Sequence, residues 1–264
     1  MFDNTLIGLQ DVPTGLEGVH LAQRLASPGA RMTLVRIHGG YRVVASSVSA
    51  ARSNTERGLA ESDLNRVSRS TGVLDTLAIG ATTTGEGLAT AVRERRADLL
   101  VLSAAQVLAP SENLLAALGH LTAPVAVTSF YPGHDTTPLR SIGIAYDSSS
   151  ESDRALTVAR RIAGAHGAAL TGFQVSARSG LGGNQAASRA AEEIAAFAET
   201  VDMLVIAPRP TRPLRRLLGP STIEAVISSS TTPVMIVPTQ ATIPPPATPP
   251  LSEDWVSAER LALR

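Results

Sequence analysis

The sequence predicts an α/β protein built as two tandem open parallel-sheet domains, the second of them shortened. Three observations predict it. Four landmarks occur twice in the same order along the 264 residues. Short apolar runs alternate with helical patterns, the signature of βαβ units and a parallel sheet. The composition is 44% hydrophobic but only 3% aromatic, so the core is made of Val, Ile, Leu and Ala, a mix suited to buried strands flanked by Ala-rich helices.

The first landmark is a short apolar strand, residues 5–9 and again 141–145, each followed by an acidic or amide residue and a turn. The second is a helix leading to another strand. Ala22-Gln23-Arg24-Leu25-Ala26 runs into residues 32–37, and Ala159-Arg160-Arg161-Ile162-Ala163 runs into 169–175. The third is Ala97-Asp98-Leu99-Leu100-Val101-Leu102, answered by Val201-Asp202-Met203-Leu204-Val205-Ile206. The fourth is Ala123-Pro124-Val125-Ala126-Val127, answered by Thr232-Pro233-Val234-Met235-Ile236-Val237.

Between the second and third landmarks the copies differ. The first has room for a helix near 56–67, a strand over 73–79 and a helix over 86–94. The second has room for one helix, about 186–199, and so lacks a helix and a strand. Loss of a strand at a sheet edge leaves the core intact, because an edge strand has one ladder partner. The expected domains are 3–130 and 139–238, joined by a linker at 131–138. Residues 239–264 read as a Pro-rich, disordered tail, because Ile243-Pro244-Pro245-Pro246 and Pro249-Pro250 continue neither sheet nor helix. A short helix over 252–264 is the alternative there; short isolated helices are marginal.

Several chemistries are excluded outright. With no cysteine there is no disulfide, thiolate zinc site or cysteine nucleophile. All 23 basic side chains are Arg, so no P-loop lysine or Schiff-base lysine exists. Zero net charge argues against broad capture of nucleic acid or acidic membranes. No signal-peptide pattern and no apolar run of spanning length is present, so the expectation is a cytoplasmic protein.

The constellation with chemical potential lies in the second copy. Tyr146-Asp147 ends a strand, and Ser148-Ser149-Ser150-Glu151-Ser152 opens a helix. Asp147 and Ser148 then stand at the carboxyl end of a strand, where open α/β sheets bind ligands; helix capping is the other reading. Strand 203–207 runs into a loop with Arg209, Arg212, Arg215 and Arg216, then Gly219-Pro220-Ser221 and a helix from about Thr222. A helix start facing such a loop is a place for phosphate, which Arg215 and Arg216 could grip bidentately. The Gly-rich stretch 180–184 fails the dinucleotide spacing and reads as a flexible splice. The five histidines show no metal-ligand spacing, and no Ser-His-Asp arrangement or nucleophile elbow is visible. Glu192 and Glu193 are adjacent, so they project in different directions from a helix and make no carboxylate pair.

On these residues the chain resembles the universal stress protein family, over roughly 3–238. The resemblance rests on the four repeated landmarks, on 146–156, and on 214–226 leading into Pro233-Val234-Met235-Ile236-Val237. It implies an adenine nucleotide alpha hydrolase-like, Rossmann-like fold, and halves that pair through their last strands, 124–129 and 233–238. One chain would then be its own pseudo-dimer, with a homodimer as the alternative assembly. ATP-binding members carry G-x-x-G-x9-G-[ST] at the strand-to-helix loop. Laid on this chain, that pattern falls on Ala207, Pro210, Pro220 and Ser221, with Gly219 one residue early. Each proline removes a backbone N–H that a phosphate needs. Asp147 matches the family's adenosine-contacting aspartate. In the first half Gln10 takes that place, and the terminal pair becomes Ser111-Glu112.

The implied function is a stress-type regulatory or protective protein working through a protein partner. It is non-catalytic, with ATP binding weakened or lost and no required cofactor. The alternative is an adenine-nucleotide sensor with one modified site in the second half: Asp147 on the ribose or adenine, Ser221 with Arg215 or Arg216 on the phosphates, and Ser148 and Gly219 also at the site.

Overall fold

The computed structural model describes residues 1–39, 47–109, 117, 121–129, 138–175, 183–208, 220–243 and 248–257. In the first half these form β1 (Phe2–Gly8), α1 (Val12–Leu25), β2 (Ala26–Gly39), α2 (Ser47–Thr71), β3 (Asp75–Ala81), α3 (Thr84–Arg95), β4 (Leu99–Leu102), the one-turn α4 (Ala104–Val107) and β5 (Val125–Val127). The second half forms β6 (Ser141–Tyr146), α5 (Ser150–His166), β7 (Ala169–Gln174), α6 (Gly183–Ala198), β8 (Met203–Ile206), α7 (Pro220–Ser229), β9 (Val234–Ile236) and β10 (Ser252–Ser257). None of the described helices is long and apolar enough to cross a membrane.

All ten described strands join one sheet, in the order β10-β7-β6-β8-β9-β5-β4-β1-β2-β3. Neighbours run parallel everywhere except at the centre, where β5 and β9 are antiparallel. There Val125 faces Ile236, Ala126 faces Met235 and Val127 faces Val234. From that seam outward the two sides read the same, β4-β1-β2 on one and β8-β6-β7 on the other.

Helices cover both faces, and strand residues alternate between two apolar layers as the period of two requires. Leu100, Leu102, Val125, Val127, Leu204 and Ile206 face a layer capped by Leu88 and Val92 of α3, Ile194 and Phe197 of α6, and Val226 of α7. Leu99, Val101, Ala126, Met203, Val205 and Met235 face the other, capped by Val19 and Leu25 of α1, Leu64 and Val67 of α2, and Val158 and Ile162 of α5. Both layers run across the seam. The few aromatics are concentrated: Phe173 of β7 stacks on Phe197 of α6 at 5.1 Å between ring centroids.

The third sequence landmark has a mechanical reason. Asp98, just before β4, accepts the backbone N–H groups of Asp3 and Asn4 at 2.8 and 3.0 Å. Asp202, just before β8, accepts those of Arg140 and Ser141 at 2.7 and 2.8 Å. Each carboxylate thus satisfies N–H groups at the start of the central strand of its half. The expected linker at 131–138 falls outside the described residues, apart from position 138.

Residues 252–257 correct the expectation of a disordered or helical tail. They form β10, parallel to β7 in an unbroken register from Ser252 opposite Ala169 to Ser257 opposite Gln174. Their position mirrors that of β3, the strand the second half lacks between β7 and β8. A parallel partner must enter from the amino end of the sheet, so the chain returns from β9 across α5 before pairing. On the way Arg154 donates to the Ala241 carbonyl, and Thr248 lies so close to α5 that a Cβ at Gly164 would collide with its carbonyl. The sequence reading missed the strand because its residues are polar and follow prolines. An edge strand with little to bury carries no apolar alternation.

Two outcomes follow. Asp202→Ala removes an acceptor for the N–H groups of residues 140 and 141, and lowers unfolding free energy by about 1.5–3 kcal/mol, measured by urea denaturation. His166, half-buried at the end of α5, has its pKa lowered from 6.5 by burial and then by the charge of Arg24. A lowered folded pKa means that the unfolded chain binds the proton more readily. The histidine's contribution is therefore full above pH 6.5 and is lost as pH falls through the depressed folded value. His166→Gln should flatten the decline of Tm between neutral and mildly acidic pH relative to the parent.

Candidate functional site

The order β7-β6-β8 means that the chain leaves β6 toward one side through α5 and reaches the other side through α6. The carboxyl ends of β6 and β8 therefore flank a crevice at a topological switch point. Asp147 follows β6 directly. Its Oδ1 accepts the Ser149 backbone N–H at 3.2 Å and the Ser149 hydroxyl at 2.6 Å. Ser148 between them has φ of 60°, the left-handed region that non-glycine residues seldom occupy. Its Oγ accepts a long contact of 3.5 Å from Gln174 Nε2 at the end of β7.

Ser149 caps α5 by accepting the Ser152 N–H, and Ser152 reaches back to the Ser149 N–H, closing a capping box. The cap is therefore Ser149, and Asp147 supports it from the strand end. Asp147 also shapes the turn that starts the helix. Glu151 and Asp153 occupy the first turn of α5. They complement the helix dipole, and they also repel any anion approaching that helix start. Tyr146 donates its hydroxyl to Asp153 at 2.7 Å. That bond, then burial and the nearby carboxylates, raises the phenol pKa above 10.0.

The β8 side is where the sequence places the expected phosphate loop. There Ala207 is buried directly after β8 and Pro208 follows. Pro220 opens α7, with Ser221 in its first turn. Pro at a helix start is favourable for the helix, but it offers no N–H to a ligand. Arg209, Arg212, Arg215, Arg216 and Gly219 lie outside the described residues, as do 180–182 of the Gly-rich splice. Asp147 and Ser148 are thus brought beside the end of β8, while the Arg cluster has no described position.

The first half has the same switch point in the order β2-β1-β4. Thr5 pairs with Leu99 as Ile142 pairs with Met203, which puts Gln10 in the place of Asp147. Asp11, the neighbouring acid, caps α1 instead, accepting the Thr14 N–H at 3.0 Å and its hydroxyl at 2.7 Å. After β4 the chain turns at once into α4, capped by Ser103. That turn buries Gln106 against Gly8, where its Oε1 lies 3.3 Å from the position a Cβ would take. The side chain fills space at the mouth between β1 and β4. Sequence reading passed over Gln106, though a Ser followed three residues later by Gln is a helix-start signal. Ser111 and Glu112 lie outside the described residues. Among the described residues no group of three or more His, Asp or Glu side chains is placed to hold a metal ion.

The turn after β6 makes a direct prediction. Ser148→Val should lower unfolding free energy by about 1–2 kcal/mol, because a β-branched residue resists the left-handed region. Ser148→Gly should stay within about 0.5 kcal/mol of the parent, since glycine tolerates that φ but loses more chain entropy on folding. Urea denaturation of both variants checks the contrast.

Comparison with known proteins agrees with this architecture. The universal stress protein family model matches residues 185–238. A solved universal stress protein from Archaeoglobus fulgidus DSM 4304 superposes with a TM-score of 0.63 at 15% identity, over 89% of this chain and 96% of that one. A functionally unknown protein from Pseudomonas aeruginosa PAO1 gives 0.55 at 17% identity, over 90% and 93%. No curated protein matches. These likenesses fix the fold as α/β with a mostly parallel open sheet, and residues 185–238 are similar to the universal stress protein family.

Proposed function

We propose that the chain is a non-catalytic regulatory or protective protein of the universal stress type, acting through a protein partner as a pseudo-dimer within one chain. In this reading ATP binding in the family manner is weakened or lost. The observation that carries it is the opening of α7 on Pro220, directly before Ser221. Family members that hold ATP have a glycine there, whose N–H can meet phosphate; proline has none. Buried Ala207 and the following Pro208 support the same reading at the end of β8, and Gln106 against Gly8 supports it in the first half. The antiparallel β5–β9 seam supports the pseudo-dimer, since two separate copies pairing through last strands would make the same contact.

A second reading is favoured by Asp147 at the switch point between β6 and β8. There the second half is an adenine-nucleotide sensor, with Asp147 on the ribose or adenine, Ser221 with Arg215 or Arg216 on the phosphates, and Ser148 and Gly219 also at the site.

Thermal unfolding separates the two. On the leading reading Tm stays unchanged across added ATP, ADP, AMP and cyclic AMP, and light scattering gives a monomer. A rise in Tm that saturates with one nucleotide overturns loss of binding. Calorimetry on Asp147→Ala against the parent then tests the sensor: equal affinities would sink the role given to Asp147.

A further inference from the structure

The second half is completed by a strand that holds on differently from every other. β3, its counterpart, is tied on both sides by helices of the same crossover, α2 before and α3 after. β10 is preceded by a Pro-rich return, has no described helix after it, and keeps five of its six residues exposed. What holds it is one ladder and two side chains on the α5 face. Glu253 takes both nitrogens of a fork from Arg160, at 2.7 and 3.1 Å. Trp255 lies flat where Gly172 has no side chain, and its ring meets Tyr146 edge-on at 5.1 Å. Any Cβ at position 172 would fall inside the indole. On the opposite face Val256 touches the apolar layer.

Those features describe a recognition edge. Extended peptides add to exposed strands by backbone ladders, and pockets for alternate side chains give the specificity. β7 supplies the ladder, Arg160 reads a carboxylate in the fork geometry suited to it, and Gly172 with Tyr146 reads an aromatic ring two residues later. We propose that the outer edge of β7 is a peptide-binding edge, with residues 252–257 as its resident ligand. A partner protein carrying an extended segment with an acidic residue, then an aromatic one two positions on, then an aliphatic one, competes for it. The resident strand is tethered, so it competes at high effective concentration and the edge stays closed to weak ligands.

Trp255 is the only tryptophan in the chain, which makes the test direct. The full chain is prepared with Glu253→Ala and Trp255→Ala together, and separately with Trp255→Phe alone. A synthetic peptide spanning residues 250–257 then carries the sole tryptophan. Its emission should shift to the blue and saturate with the double variant, and bind at least tenfold more weakly to the Trp255→Phe chain, whose own strand stays seated. Adding Arg160→Ala to the double variant should weaken the peptide several-fold. Equal affinity for both chains, or no binding to a double variant that still unfolds cooperatively, overturns the proposal. Native-state hydrogen exchange on the unaltered chain covers the case in which the double variant does not fold. The β7–β10 ladder should open well below the free energy of β6 and β8. Exchange of all these strands at one common rate would make β10 a permanent part of the core and refute the idea.

Discussion

The sheet depends on one short antiparallel contact. Three residue pairs between β5 and β9 join two groups of parallel strands into one surface, and every apolar layer crosses that line. An unpaired last strand would present a row of open N–H and C=O groups, and the seam closes that row in both halves. The antiparallel meeting removes two edges at once and places small or branched side chains, Val125, Ala126 and Val127, against Val234, Met235 and Ile236. The mirrored order on either side follows from it. So does the position of the two crevices, one in each half, between the central strand and its neighbour nearer the seam.

The two crevices have diverged by different physical routes. In the first, a single turn of helix after β4 brings an amide side chain over the strand end, and the neighbouring acid is committed to a helix cap. In the second, the acid remains at the strand end but is bound into a turn, and the helix beyond opens on proline. The acids in the first turn of α5 bias that side against anions.

Much of this was legible in the sequence because buried parallel strands leave continuous apolar runs. β4, β5, β8 and β9 stand where those runs stand, and the repeated Asp98 and Asp202 mark real clamps rather than coincidence. Helix α2 extends well beyond the expected 56–67, to Ser47–Thr71, because a largely polar helix gives little apolar period to mark its ends. β10 was illegible for a related reason: with one ladder partner and exposed side chains it has no hydrophobic signature, and its prolines pointed away from order. At the site, Asp147 and Ser148 could be placed from the strand that precedes them. The role of Gln106 could not, because it depends on how tightly the chain turns after β4.

The place of β10 has a consequence for how the chain is made. The first half has all five of its strands once residue 127 has been synthesised. The second half must wait, because its outermost strand is encoded after every other strand it contains. Until then β7 presents a bare edge beside a nearly finished domain, the state in which nascent chains are most open to wrong pairing and to chaperones. Synthesis that stalls or a chain clipped within residues 239–251 would leave that edge uncovered on an otherwise intact fold. Arrival of residues 252–257 closes that edge.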